Sequence, residues 1–170
     1  MTTRTANLLG ALAVAINDRL GEATAATAGR SAMTPAALVT LYNTPGASIG
    51  ELARVLSLSH PGAVRLVDRL ADDGFVERHS ATDGRVVVLH LTAKGRRVAQ
   101  RVLGSRAGVL DGAIQSLSPA DRDVLERLVG DLLGAITRDA DEADHTCRLC
   151  DEASCPLADC PVECAVAGRR

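Results

Sequence analysis

The chain's five cysteines all lie in its last 24 residues, in the run Cys147-Arg-Leu-Cys150-Asp-Glu-Ala-Ser-Cys155-Pro-Leu-Ala-Asp-Cys160-Pro-Val-Glu-Cys164. The first four follow the spacing C-x2-C-x4-C-x4-C. A loop of this kind can wrap one tetrahedral ion, and a C-x2-C pair commonly supplies two thiolates to a single zinc. An all-cysteine set with the steps Cys155-Pro156 and Cys160-Pro161 also suits an iron–sulfur cluster. Soft thiolates accept either, so zinc and iron–sulfur stand side by side as cofactors. A third chemistry needs no metal: clustered thiols can form reversible disulfides and sense oxidation. The neighbouring acids Asp151, Glu152, Asp159 and Glu163 disfavour a bare thiolate, a cost that metal binding offsets. The candidate ligands are Cys147, Cys150, Cys155 and Cys160, with Cys164 as a fifth, and His145 is close enough in sequence to substitute.

Secreted domains stapled by disulfides spread their cysteines through the fold. Clustering at one end points to a local site in a reducing cytoplasm. No apolar run approaches the ~20 residues of a membrane span. The apolar segment from Ala6 to Ile16 runs into Asn17, Asp18 and Arg19, and reads as an amphipathic helix rather than a signal peptide. From Asp139 onward there are eight acids and three bases, net −5, while the remainder is net +3. The basic surplus is densest from Arg54 to Arg106, with ten Arg/Lys against five Asp/Glu. A basic body with an acidic tail suits a phosphate-facing surface. No Gly-rich phosphate loop, HExxH pair or nucleophile–base set is present, so an enzyme is not expected.

Elements must position these groups. About 46% of residues are hydrophobic, yet Tyr42 and Phe75 are the only aromatics. A core of Leu, Val, Ile and Ala favours packed helices. Leu8, Leu9, Leu12, Ile16 and Leu20 mark one face of a first helix. Thr34-Pro35 opens a second, closed by Asn43-Thr44-Pro45-Gly46. Ser48 with Glu51 predicts a capping box on a short third helix. Ser59 caps a fourth, ending at Gly74. Phe75 to Ser80 and Arg85 to Thr92 read as strands around an Asp83-Gly84 hairpin turn. Thr92 opens a long helix to about Leu117, which Gly95, Gly104, Gly108 and Gly112 weaken. Ser118-Pro119 starts another, running to about Ala143. The remainder shows no periodicity.

The fold class is therefore mainly α with a small β-hairpin wing, a winged helix-turn-helix. The recognition helix starts at Ser59, and its first residues face base edges. Ser59, His60 and Arg65 are the readout candidates. Arg69, one turn on, reaches phosphate, and Arg85 sits at the hairpin tip with Asp83.

These motifs resemble the MarR family of regulators. The matching stretches are Leu52-Ala53-Arg54-Val55-Leu56-Ser57-Leu58-Ser59-His60-Pro61, Arg65-Leu66-Val67-Asp68-Arg69-Leu70, Gly74-Phe75-Val76-Glu77-Arg78, Asp83-Gly84-Arg85 and Leu91-Thr92-Ala93-Lys94-Gly95. The resemblance covers roughly residues 5 to 140. It implies a homodimer joined through its N- and C-terminal helices, with two recognition helices set for a pseudo-palindromic operator in double-stranded DNA. It also implies an Asp83–Arg85 pair that shapes the wing, with the Arg in the minor groove. Gly62 and Val64 stand where the family usually has polar residues, which thins direct readout.

The expected organisation is a helical dimerisation region (1–33 and 92–143), a winged-helix DNA-binding domain (34–91) and a cysteine-rich tail (144–170). The expected function is a transcription regulator, a repressor, whose DNA affinity responds to the metal, iron–sulfur or redox state of the tail. One alternative is a regulator switched by a small phenolic effector between the dimer and DNA-binding lobes, with a structural tail. Another is a thiol oxidoreductase using Cys147 and Cys150, which lacks the usual βαβ setting.

Overall fold

The computed structural model describes residues 3–28, 33–80 and 87–168. The order is α1 (Arg4–Ala28), α2 (Met33–Asn43), α3 (Ile49–Val55), α4 (His60–Asp72), β1 (Val76–Ser80), β2 (Val87–Leu91), α5 (Ala93–Ile114), α6 (Pro119–Ile136), α7 (Ala140–Cys147), one 3₁₀ turn (Leu157–Asp159) and α8 (Pro161–Ala167).

The core is aliphatic. Leu38, Val39 and Leu41 of α2, Leu52 and Leu56 around α3, Leu66, Val67 and Leu70 of α4, Leu89 of β2 and Val102 of α5 are all buried in one cluster. Helix α2 is its central rod, buried from Pro35 to Leu41. It includes Met33, which packs against the core, so Thr34 lies inside the helix rather than capping it.

The capping signals hold. Ser48 and Glu51 form the reciprocal box on α3. The side chains of Ser59, Thr92 and Ser118 each accept a backbone N–H in the first turn of α4, α5 and α6. β1 and β2 pair antiparallel from Val76↔Leu91 to Ser80↔Val87. The turn before α3 lies along the other edge of β2: Gly46 N donates to Leu89 O at 3.0 Å, and Leu89 N to Ala47 O at 2.9 Å. Gly46 permits this with φ +87°. The wing root is thus fastened to the helix-turn-helix.

Two expectations fail toward the C-terminus. The last long helix stops at Ile136, not near Ala143. Thr137 caps it with extended backbone, and Asp139 starts α7 by accepting from Glu142 N. Arg138 braces the corner by donating to the Glu142 carboxylate. The residues beyond are not aperiodic loop but α7, a 3₁₀ turn and α8. Each piece is too short for a helical period to stand out.

Candidate nucleic-acid interface and cysteine cap

Helix α4 separates two faces. Ala63, Leu66, Val67 and Leu70 are buried, so the helix is fixed against the core. Ser59, His60, Arg65 and Arg69 are exposed. Arg65 and Arg69 are four residues apart and share one face. Asp68 is not a free outward charge: Arg78 of β1 donates to it at 2.5 Å, tying the helix to the wing. The Ser59 hydroxyl is spent on Gly62 N, at 3.3 Å, as the cap. That bond starts the helix, and the hydroxyl keeps its own proton to donate. Ser57, in the α3–α4 turn, has φ +53°, a left-handed conformation uncommon for a residue with a side chain. Asp83 and Arg85 lie outside the described residues, so the wing-tip pair is not placed.

The cysteine segment folds back onto this unit as a cap. Helix α8 lies over α6 where Gly130 and Gly134 leave room: a Cβ on Gly130 would stand 3.6 Å from Pro161, and one on Gly134 3.5 Å from the Pro161 carbonyl oxygen. Ala143, Cys160, Val162 and Val166 make a small second core, with Leu133 and Cys147 packed against it. Leu149 reaches the main core. Helix α7 docks on α3. Arg54 donates to Asp141 at 2.9 Å and also to Asp144. The His145 ring Nδ1 lies 2.9 Å from Val55 O and 3.2 Å from the Ser57 hydroxyl. Asn43 at the end of α2 donates to Cys150 O at 3.0 Å.

Two of the five cysteines, Cys147 and Cys160, meet in this second core. Cys150 N donates to Cys147 O at 2.8 Å, closing the first Cys pair into a turn. Their ionisation is divided. The hydrogen bond from Cys147, helped by Arg106, lowers Cys150 to about 6. That hydrogen bond, with burial, pushes the Cys147 thiol far up. Burial also raises Cys155. All five are free of disulfides. Among the described residues no three metal-binding groups already surround one point. Cys164 stands apart, exposed, with its Sγ toward Ala158 O at 3.5 Å.

The residues sequence reasoning missed are Arg54, Asp141, Asp144, Asn43 and Arg106. The acids of α7 read as plain tail charge, yet two of them grip α3. Arg106 brings to Cys150 a cation that local sequence did not foretell, and it works against the neighbouring acid Glu152, which disfavours the thiolate as expected. His145 is half-buried against α3 rather than a solvated neighbour of the cysteines.

A model of the MarR family matches residues 28–86. Over 103 residues the chain is 34% identical to the transcriptional repressor MprA of Escherichia coli, covering 59% of this chain. The chain spans 58% of that repressor's length. It is 32% identical over 101 residues to an HTH-type transcriptional regulator of Mycobacterium tuberculosis, covering 59% of this chain and 70% of the relative. A solved MarR family protein from Bacillus stearothermophilus superposes with a TM-score of 0.66 at 27% identity, over 81% of this chain and 99% of that one.

The chain belongs to the MarR family. Its matched relatives are regulators of transcription, not enzymes. The family match ends at residue 86, far before the first cysteine, so the MarR resemblance gives no account of the cap. No helix among the described residues is long and apolar enough to cross a membrane.

Proposed function

We propose that this MarR-family chain is a homodimeric, operator-binding transcription repressor whose DNA affinity is set by the state of the cysteine cap. The observation that carries the DNA reading is helix α4: a face locked into the core, and an opposite face presenting His60, Arg65 and Arg69. A recognition helix needs that combination, because base contacts demand a rigid support. The apolar residues that α1 and α6 leave exposed support the dimer. The contacts of α7 with α3 support control by the cap, since α3 is the helix that positions α4.

The two arginines should differ in a DNA-shift titration across salt. Arg69→Ala is expected to weaken binding evenly across sequences and flatten the log–log salt slope by about 1, as loss of one phosphate contact does. Arg65→Ala is expected to cost about 1–3 kcal/mol on the operator and relax preference at one position. If both variants bind operator as tightly as the parent, α4 is not the reading helix.

A small-molecule effector remains a second reading, favoured by one observation. A cleft of about 700 Å³ between α1 and α5 is lined by Leu12, Ile16, Val109 and Ala113, with Arg19 at its edge. An apolar wall edged by one cation and one carboxylate, Arg19 and Glu22, suits a small aromatic with a hydroxyl. Release of DNA by a phenol in a protein lacking all five cysteines would favour that route over the cap.

A further inference from the structure

We propose that α7 is a brace for the DNA-reading unit, in which His145 is a positioning residue: it closes the end of α3 from outside and so holds the turn that aims α4. The structural half stands on contacts alone. Its effect on DNA deepens the proposed function and rests on it.

Helix α7 has two working faces. Asp141, Asp144 and His145 are spaced i, i+3, i+4 and share one side. All three meet α3 or the turn after it. On another side Ala143 is buried in the second core, with Cys147 packed against it. The helix therefore ties the cysteine cap to α3. Arg54, Val55 and Ser57 fall inside the stretch matched by the family model, and the α7 residues fall outside it.

Val55 is the last residue of α3, where helix carbonyls run out of donors within the helix. Its oxygen lies 2.9 Å from His145 Nδ1. A carbonyl can only accept, so Nδ1 carries a proton and donates it. The Ser57 hydroxyl oxygen, 3.2 Å from the same nitrogen, is a second acceptor for that proton. A histidine near a helix C-terminus can serve the last carbonyls of its own helix. Here the ring arrives from 90 residues further along the chain. Arg54, in the last turn of α3, donates to Asp141 and Asp144 and aligns α7 for this bond. Exposed ion pairs are individually weak, so they guide the docking while the ring holds the turn.

The turn needs holding. Ser57 has φ +53°, and such a conformation persists in a residue with a side chain only where its surroundings over-determine it. Ser57 N donates to Arg54 O at 3.0 Å and Leu58 N to Ala53 O at 2.8 Å. Ser59, next in line, caps α4. The turn thus sets the direction in which α4 leaves. Arg69 lies ten residues beyond that cap, roughly 15 Å along the helix, so a small rotation at the turn displaces it most.

The test uses the full chain. In His145→Ala, operator affinity is expected to fall about 3- to 10-fold, the size of one ordinary hydrogen bond. The Ser57 and Leu58 amides are expected to exchange faster with deuterium, while Leu66 and Val67 keep their protection. His145→Asn is the rescue, because its side-chain amide N–H stands as far from the backbone as Nδ1 and restores both readouts. An Asn variant as weak as the Ala variant overturns the positioning role. The double variant Asp141→Asn with Asp144→Asn tests the direction. A brace predicts binding weakened by about 3- to 10-fold with an unchanged salt slope. Tighter binding, with a log–log salt slope steeper by about 1, means that the acids merely hide Arg54 from a phosphate and overturns the brace. Unchanged amide exchange in His145→Ala overturns it whether or not DNA binds. A parent protein that binds no operator overturns the regulator reading, and the exchange pattern then decides the brace by itself.

Discussion

Glutamate at both Leu128 and Leu132 is expected to leave the protein monomeric and to weaken operator binding by about 10²- to 10⁴-fold. Helix α6 has no buried residue, and neither has α1. Yet α6 exposes Val124, Leu128, Val129, Leu132 and Ile136, and α1 exposes Leu8, Leu9, Leu12 and Val14. Leu128 is 46% exposed and Leu132 is 47% exposed. Burying such a side chain fully is worth about 1.5–3 kcal/mol, so a stripe of this length is a strong drive to associate. The opposite side of α6 is already taken by α8 at Gly130 and Gly134, so the stripe is the face left for a partner. Two carboxylates in a closed apolar seam cost far more than the lost contacts. The loss on DNA follows because each monomer reads one half-site and forfeits the gain from linking two, about 10²- to 10⁴-fold. Sedimentation across a range of concentrations gives the oligomeric state, and circular dichroism checks that the helices persist. A folded double variant that still sediments as a dimer sinks the assignment of this face.

Gly95→Ala is expected to destabilise the fold by about 1–3 kcal/mol or more, while Gly104→Ala stabilises it by up to about 1 kcal/mol. A Cβ on Gly95 would sit 2.1 Å from the Phe75 carbonyl oxygen and 3.0 Å from its carbon. That oxygen belongs to backbone and already accepts from Thr92 N at 2.9 Å. The Thr92 hydroxyl donates in turn to Gly74 O at 2.7 Å, and its oxygen caps Gly95 N at 3.0 Å. Relieving the clash means prising the start of α5 from the wing root, and these bonds go with it. A Cβ on Gly104 meets nothing within 4 Å, so there only the intrinsic helix preference of Ala over Gly counts. Urea unfolding of the two variants should move in opposite directions. Equal midpoints would mean that the strand-to-helix corner absorbs a Cβ without cost.

The glycines of α5 show where sequence reading runs out. As a series, Gly95, Gly104, Gly108 and Gly112 read simply as weak points in a helix. Helix propensity is a property of each residue, so it scores all four alike. Only the approach of Phe75, twenty residues earlier, makes Gly95 a requirement, and nothing local announces that approach. Ser48, Ser59, Thr92 and Ser118 behave oppositely. A cap bonds within three residues, so its signal is complete in the sequence, and all four stand at the starts expected of them. The cap divides in the same way. The C-x2-C turn at Cys147 and Cys150 is local and legible. The packing of Cys160 against Cys147 depends on α8 lying across α6. Asp141 and Asp144 looked like part of a solvated acidic run, because their partner Arg54 lies 87 and 90 residues away.

The cysteine cluster is therefore two kinds of fact. The sequence by itself determined the cysteine spacing, together with the caps, the hairpin strands and the order of helices that mark the MarR family, because each is written in spacings of a few residues. The tertiary structure alone decided that the chain breaks at Thr137 and turns back. It also decided that Arg106 stands beside Cys150, and that α7 grips α3 through Arg54 and His145. The physical reason is one of range. Caps and turns are satisfied by neighbours along the chain. Charge pairing, close backbone approach and helix docking are satisfied by whatever packing brings near.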